Sequence, residues 1–193
     1  MEEKELNSGG EEPEKAGEQE LFGRFCAGDN RAFADILKKY RSKALNFAYR
    51  YLGDMDDAED AAQECFVKLY RSRKSFEIGR PFEPWFYRIL ANCCRDRIRH
   101  QNRFTDFVER FSVEKKAETQ AFSHNPGHYS EALAAALLRL SQDKREVIAL
   151  RFDQELSYED IARALNISEG TVMSRLHRAK KELERILKSM GLK

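Results

Sequence analysis

The stretch LSYEDIARALNISEGTVMSRLHRAKK, Leu156–Lys181, decides how the chain reads. Ser157 precedes Tyr158, Glu159 and Asp160, an N-cap followed by acids in a first turn, where the positive end of a helix favours them. Ile161, Ala162 and Leu165 then fall on one face at helical spacing. Asn166 can take the left-handed backbone that ends a helix, and Ile167 can plug the corner. Ser168 is a second N-cap, and Glu169, Gly170 and Thr171 open the next helix. Val172, Leu176, Ala179, Leu183 and Ile186 form its apolar face, while Ser174, Arg175, Arg178, Lys181 and Arg185 share the other.

Two short helices about a tight turn make a helix-turn-helix, whose second helix can enter the major groove. Arginine there can donate two bonds to a guanine edge or clamp phosphates, and serine or threonine can contact either. The plain alternative is a solvated basic face on an amphipathic helix. Capping, turn and basic face coincide here, which favours the motif.

Outward from this motif the chain reads as helices, and no period-2 alternation of useful length interrupts them. Phe22, Phe25 and Cys26 suggest a short helix stopped by Gly28-Asp29-Asn30, either of whose last two residues can cap the next. A long stripe follows: Phe33, Ile36, Leu37, Tyr40, Ala44, Phe47, Ala48 and Tyr51, closed by Gly53. A third helix over Met55–Tyr70 gathers Ala58, Ala61, Ala62, Cys65, Phe66 and Leu69. Gly79 and Pro81 forbid a regular helix interior over Arg71–Glu83. A fourth helix begins near Pro84 and turns Trp85, Phe86, Ile89, Leu90, Cys93 and Ile98 inward.

The reading predicts an all-α chain: two small helical bundles joined by a flexible linker, the second bundle containing the helix-turn-helix. Residues 1–18, rich in glutamate and glycine, read as a disordered acidic tail, 19–103 as the first bundle, 104–128 as the linker, and 129–193 as the second bundle.

Charge is balanced overall, with 34 Lys and Arg against 33 Asp and Glu, but it is segregated along the chain. Asp54–Glu64 holds six acids and no base, whereas Lys68–Arg80 and Arg88–Arg103 each hold five bases and one acid. Helix-end preferences account for Asp54, Asp56, Asp57, Lys68 and Arg71. They account less well for cations gathered at Arg71–Arg80 with Arg95, Arg97 and Arg99, for which an anionic polymer is the natural partner. Phe76, Phe82, Trp85 and Tyr87 lie among these cations, as in a platform that stacks single-stranded bases. Trp85 and Phe86 also fit a core stripe.

Other classes find little support. No apolar run approaches the ~20 residues that span a bilayer, and the N-terminus lacks the basic-then-apolar order of a secretory signal. Cys26, Cys65, Cys93 and Cys94 show no CxxC spacing and read as reduced thiols of a cytoplasmic protein. No phosphate loop, metal-ligand spacing or nucleophile–base motif appears, and His100, His124, His128 and His177 are scattered. No cofactor, no membrane insertion and no enzyme are expected.

The segments DAEDAAQECFVKLY (Asp57–Tyr70), PFEPWFYRILANCCRDRIR (Pro81–Arg99) and Leu140–Leu183 together resemble a bacterial RNA polymerase sigma factor. They resemble the extracytoplasmic-function (ECF) group, which keeps only the second and fourth conserved regions. That resemblance implies that Asp57, Asp60, Gln63, Glu64 and Phe66 bind the clamp helices of the polymerase β′ subunit, with the β subunit a further contact of the polymerase core. It implies that the loop with Arg71, Arg73, Lys74, Ser75, Phe76 and Arg80, and the helix with Trp85, Arg88 and Asn92, take the minus-ten strand of promoter DNA with one base extruded. Arg95, Arg97 and Arg99 would hold phosphates. Ser168, Glu169, Gly170, Thr171, Ser174, Arg175, Arg178 and Lys181 would read the minus-thirty-five element. It also implies control by an anti-sigma factor under stress. Family members often carry Arg where this chain has Met173 and an aromatic where it has His177, so no minus-thirty-five preference is carried over. The acidic tail is extra to the pattern and is a spacer or an internal DNA mimic. Two rival functions stand beside this one: a dimeric helix-turn-helix regulator of duplex DNA, and an interaction protein whose basic face binds RNA or an acidic partner.

Overall fold

Asp29 starts the longest apolar stripe as the sequence predicts, its carboxylate accepting the backbone N–H groups of Arg31 at 2.8 Å and Ala32 at 3.4 Å. The computed structural model describes residues 13–111 and 131–191, and side chains within 17–102 and 132–191. Every regular element among them is helical: α1 (Pro13–Cys26), α2 (Asn30–Leu52), α3 (Met55–Arg71), α4 (Phe82–Phe111), α5 (Glu131–Leu138), α6 (Gln142–Ile148), α7 (Tyr158–Leu165) and α8 (Glu169–Ser189). A 3-10 turn at Arg73–Ser75 lies between α3 and α4, and a π-helical turn at Ala149–Asp153 extends α6.

Two boundaries differ from the sequence reading. Helix α1 begins at Pro13, inside the expected tail, with proline tolerated at the first helical position. Helix α4 runs on to Phe111, into the expected linker, because Gln101–Phe111 contains neither glycine nor proline to stop it. The rest of the expected tail (1–12) and linker (112–128) lies outside the described residues.

Helices α2, α3 and α4 pack as the first unit around Ile36, Tyr40, Phe47, Tyr51, Cys65, Leu69, Phe86 and Leu90, all nearly or fully buried. Helix α1 lies across one end of this unit, where Phe22 stacks face to face on Phe82 with centroids 4.0 Å apart. Helices α5 to α8 form the second unit around Val147, Leu150, Ile161, Val172 and Leu176.

The two units, read from sequence as bundles on a tether, pack against each other here and share one continuous core. Helix α7 lies on α4, while α5, α6 and the π turn lie on α2. Gly53 marks the tightest approach. Its φ of 82° closes α2 in the left-handed region, and a Cβ there would stand 2.7 Å from Leu138 Cδ2. Arg145, half-buried, donates to the carbonyl of Tyr51 and also to Leu138 O at 2.8 Å and Leu140 O at 3.1 Å. It thereby ties the end of α2 to the α5–α6 connection.

Candidate nucleic-acid interface

The helix-turn-helix forms as its capping residues dictate. Ser157 Oγ accepts the Asp160 N–H at 3.0 Å, Ser168 Oγ accepts the Thr171 N–H at 3.2 Å, and Asn166 takes φ 55°, ψ 50°. Ile167 fills the corner half-buried, its N–H donating to Ala162 O. Val172, Leu176, Ala179 and Ile186 turn inward from α8. Glu169, Gly170, Arg178 and Lys181 are exposed on the outer side, and Thr171 and Ser174 are half-buried, with Ser174 Oγ donating to Thr171 O. Arg175 lies on the flank, paired with Asp143 of α6 at 3.1 Å, and Arg178 folds back onto the carbonyl and hydroxyl of Ser174.

The second surface is the cationic loop and the start of α4. Trp85, Arg88, Asn92 and Arg95 recur at steps of three, four and three, which brings them onto one side of α4. Trp85 is half-buried, its ring 5.0 Å from Phe76 and 5.7 Å from Phe82. Phe76 is buried among Phe22, Phe82 and Trp85, so it shapes the loop from beneath. Arg73 lies over the Tyr70 ring, 4.3 Å from its centroid, and donates to Tyr70 O. Arg71, Lys74, Ser75 and Arg80 are exposed at the loop surface, Arg80 beside Glu77.

The phosphate cations expected further along α4 diverge. Arg97 reaches across to α3, where its guanidinium bridges Asp57 and Asp60, each at 2.6 Å. Those hydrogen bonds and charges raise its already high pKa, so it stays protonated at any physiological pH. Arg99 pairs with Asp96 at 3.1 Å. Arg95 faces the second unit and donates through Nε and Nη2 to Glu146 of α6. The partners of Arg95 and Arg97 lie on other helices, so their pairing depends on how the helices cross.

The third surface is the outer side of α3. Gln63 and Glu64 are exposed, while Phe66 is buried with 7 % of its surface accessible. Gln63 and Phe66 line an open groove of about 920 Å³ between α2 and α3, with Phe33, Leu37, Leu45 and Tyr70 on its walls. Phe33 and Leu37 belong to the long apolar stripe read from sequence, and both are half-buried. The stripe was wider than one buried face needs, which was the available signal of the groove.

Individual contacts join the second unit to α4 and α2. Arg88 Nη2 donates to Arg163 O of α7 at 2.6 Å, Tyr87 Oη donates to Gln154, and Arg50 of α2 pairs with Asp153 of the π turn. The wider π turn, followed by Glu155 at φ 56°, carries Asp153 and Gln154 toward α2 and α4.

Comparison with known proteins places this arrangement. The family description Sigma-70 region 2 matches residues 36–104, and Sigma-70, region 4 matches residues 130–183. The ECF RNA polymerase sigma factor SigW of Bacillus subtilis is 34% identical over 175 residues, covering 84% of this chain and 92% of SigW. The chain belongs to the ECF sigma factors. RNA polymerase sigma-H factor of Pseudomonas aeruginosa is 30% identical over 183 residues, covering 90% of this chain and 95% of the relative. Among solved structures, CnrH in complex with the cytosolic domain of CnrY matches with a TM-score of 0.66 at 26% identity, over 89% of this chain and 97% of CnrH. RpoE of Bartonella quintana in complex with the anti-sigma factor NepR matches with a TM-score of 0.66 at 29% identity, over 80% and 97%. The task of this family is promoter recognition in transcription initiation. No helix among the described residues of this ECF sigma factor is long and apolar enough to cross a membrane. No group of three His, Cys, Asp or Glu among them could hold a metal.

Proposed function

We propose that this ECF sigma factor binds core RNA polymerase through α3 and reads promoter DNA at two separated elements. Residues 19–103 would hold the polymerase and the minus-ten strand, 129–193 the minus-thirty-five element, and 104–128 the connection between them. The observation that carries this reading is the order of the two matched regions along one chain, each bearing a DNA-suited surface of its own.

On the polymerase side, the clamp helices of β′ dock on the α3 face. Gln63 and Glu64 supply exposed polar contacts, and the apolar groove beside Phe66 receives side chains from the docking helix. Asp57 and Asp60 are held in place by Arg97. Phe66 works chiefly as core, so Gln63→Ala is the cleaner test of docking than Phe66→Ala.

On the promoter side, Trp85, Arg88, Asn92 and Arg95 take the minus-ten non-template strand, assisted by Arg71, Arg73, Lys74, Ser75 and Arg80. A base leaving the stack costs a few kcal/mol, which contacts in this region recover. The outer side of α8 reads the minus-thirty-five element from Ser168, Glu169, Gly170, Thr171, Ser174, Arg178 and Lys181. In the free chain Arg88 and Arg95 are already engaged by the second unit, so strand capture requires the units to part. Polymerase separates them by fixing each at its own place, which turns two weak readings into one specific one.

The chain works by binding rather than catalysis, in the cytoplasm, and an anti-sigma factor restrains it. The complex of RpoE with the anti-sigma factor NepR supports that last point. Family membership does not favour the rival reading of a dimeric regulator acting without polymerase. Capture of core polymerase by the tagged full chain tests the docking. Gln63→Ala lowers recovery of β′, and unchanged recovery with this variant contradicts the α3 assignment.

A further inference from the structure

Met173 stands in the second turn of α8 with half of its surface exposed, one of five exposed large apolar side chains among the described residues. It shares its side of the helix with Gly170 and His177, both exposed. At Gly170 only Ser168 Oγ comes near, at 4.0 Å, so the approach to Met173 from the N-terminal end is open. The two arginines of these early turns are drawn elsewhere. Arg175 is held by Asp143 on α6, and Arg178 lies back on Ser174. Glu169 brings a negative charge to the first turn.

The leading turns of a recognition helix are the part that reaches base edges. Here they offer an apolar tip where a cation would serve guanine. The major-groove edges of the four base pairs present donors, acceptors and one apolar group, the C5-methyl of thymine. An unbranched thioether with three rotatable bonds can reach and cover such a methyl. Met173 stands half in water on this polar surface, while its neighbours Val172 and Leu176 close the fold beneath.

We infer that Met173 is a specificity-determining residue that selects thymine at one position of the minus-thirty-five element by contact with its methyl group. This rests on the assignment of α8 to that element.

The test uses holoenzyme reconstituted from core polymerase and the full chain, on a promoter mapped by run-off transcription. Each thymine of the minus-thirty-five element, on either strand, is replaced singly by deoxyuridine, which removes only the methyl. With the wild-type chain, one replacement weakens promoter binding roughly fourfold, the value of one buried methyl group. With Met173→Ala the same replacement has no effect, and with Met173→Leu the sensitivity returns. The exposed position makes neither variant a threat to folding. No deoxyuridine-sensitive position, an element without thymine, or sensitivity that persists in Met173→Ala overturns the inference. A fully scrambled element separates the two levels. If scrambling abolishes binding while deoxyuridine is silent, Met173 alone was misassigned. If scrambling changes nothing, the assignment of α8 fails and the inference with it.

Discussion

Arg95 of α4 and Glu146 of α6 form an ion pair across the two units, with Nη2 to Oε1 at 3.1 Å and Glu146 almost wholly buried. The carboxylate occupies the cation proposed to hold a DNA phosphate. Arg88 is engaged in the same way by the carbonyl of Arg163. A chain in this form ties two cations of the proposed minus-ten face to its own second unit.

Opening that packing should expose the face. Glu146→Lys sets a cation against Arg95, and Asp153→Lys sets one against Arg50. Either variant of the free chain should bind a single-stranded oligonucleotide of the minus-ten non-template strand roughly tenfold more tightly, a change of about 1.4 kcal/mol. Fluorescence anisotropy at low salt measures this. Circular dichroism should show the helices retained, and equal affinity for all three chains would contradict the covered face.

Gly53 should be intolerant of any side chain. Gly53→Ala places a Cβ in left-handed backbone, at about 1–2 kcal/mol, and forces it against Leu138. Urea unfolding should show a loss of about 2–4 kcal/mol. Shortening the neighbour, with Leu138→Ala in the Gly53→Ala chain, should recover part of the loss, a coupling that a double-mutant cycle isolates.

The contribution of Glu146 to folding stability should fall as pH rises. Burial pushes the Glu146 carboxyl above its ordinary range, and Arg95 pulls it back only in part. A carboxyl with a raised pKa in the folded chain binds its proton more readily there than when unfolded. Its contribution is therefore fully present below the ordinary glutamate value of about 4.3 and is lost as pH rises through the raised folded value. Stability measured by urea midpoint should show this component in the wild type, and Glu146→Gln should remove it. A wild-type profile identical to that of Glu146→Gln would contradict the assignment.

Arg95 and Arg97, two residues apart, should behave differently on DNA. Arg95 turns to the proposed strand path once the units part, whereas Arg97 is bound to Asp57 and Asp60 on α3. In the holoenzyme, Arg95→Ala should reduce the slope of log affinity against log salt by about one, and Arg97→Ala should leave it unchanged. Arg97→Ala should instead lower recovery of β′, since Asp57 and Asp60 lose the group that positions them.

Local signals made much of this molecule legible. Asp29, Gly53, Ser157, Asn166 and Ser168 mark helix ends because each supplies a cap or a backbone that few residues supply, and all five do so in the structure. The apolar stripes of α2, α3 and α8 declare buried faces by their period. Periodicity says that a face is covered and is silent on what covers it. Phe76 sat among cations in sequence yet is buried because Phe22, over fifty residues earlier, closes on it. The same holds for Arg50 with Asp153 and for Arg97 with Asp57, pairs set by how helices cross. The π turn at Ala149–Asp153 had no sequence signal in the helical period and depends on Leu156 N–H returning to Leu150 O.

Run-off transcription on genomic fragments, comparing core polymerase alone, this chain alone and the two combined, tests the central claim most directly. The combination should initiate at defined start sites that core polymerase alone does not use, each preceded by two separated elements, while the chain alone shows little specific duplex binding. Tight, specific duplex binding by the isolated chain, with no new start site when polymerase is added, would contradict it.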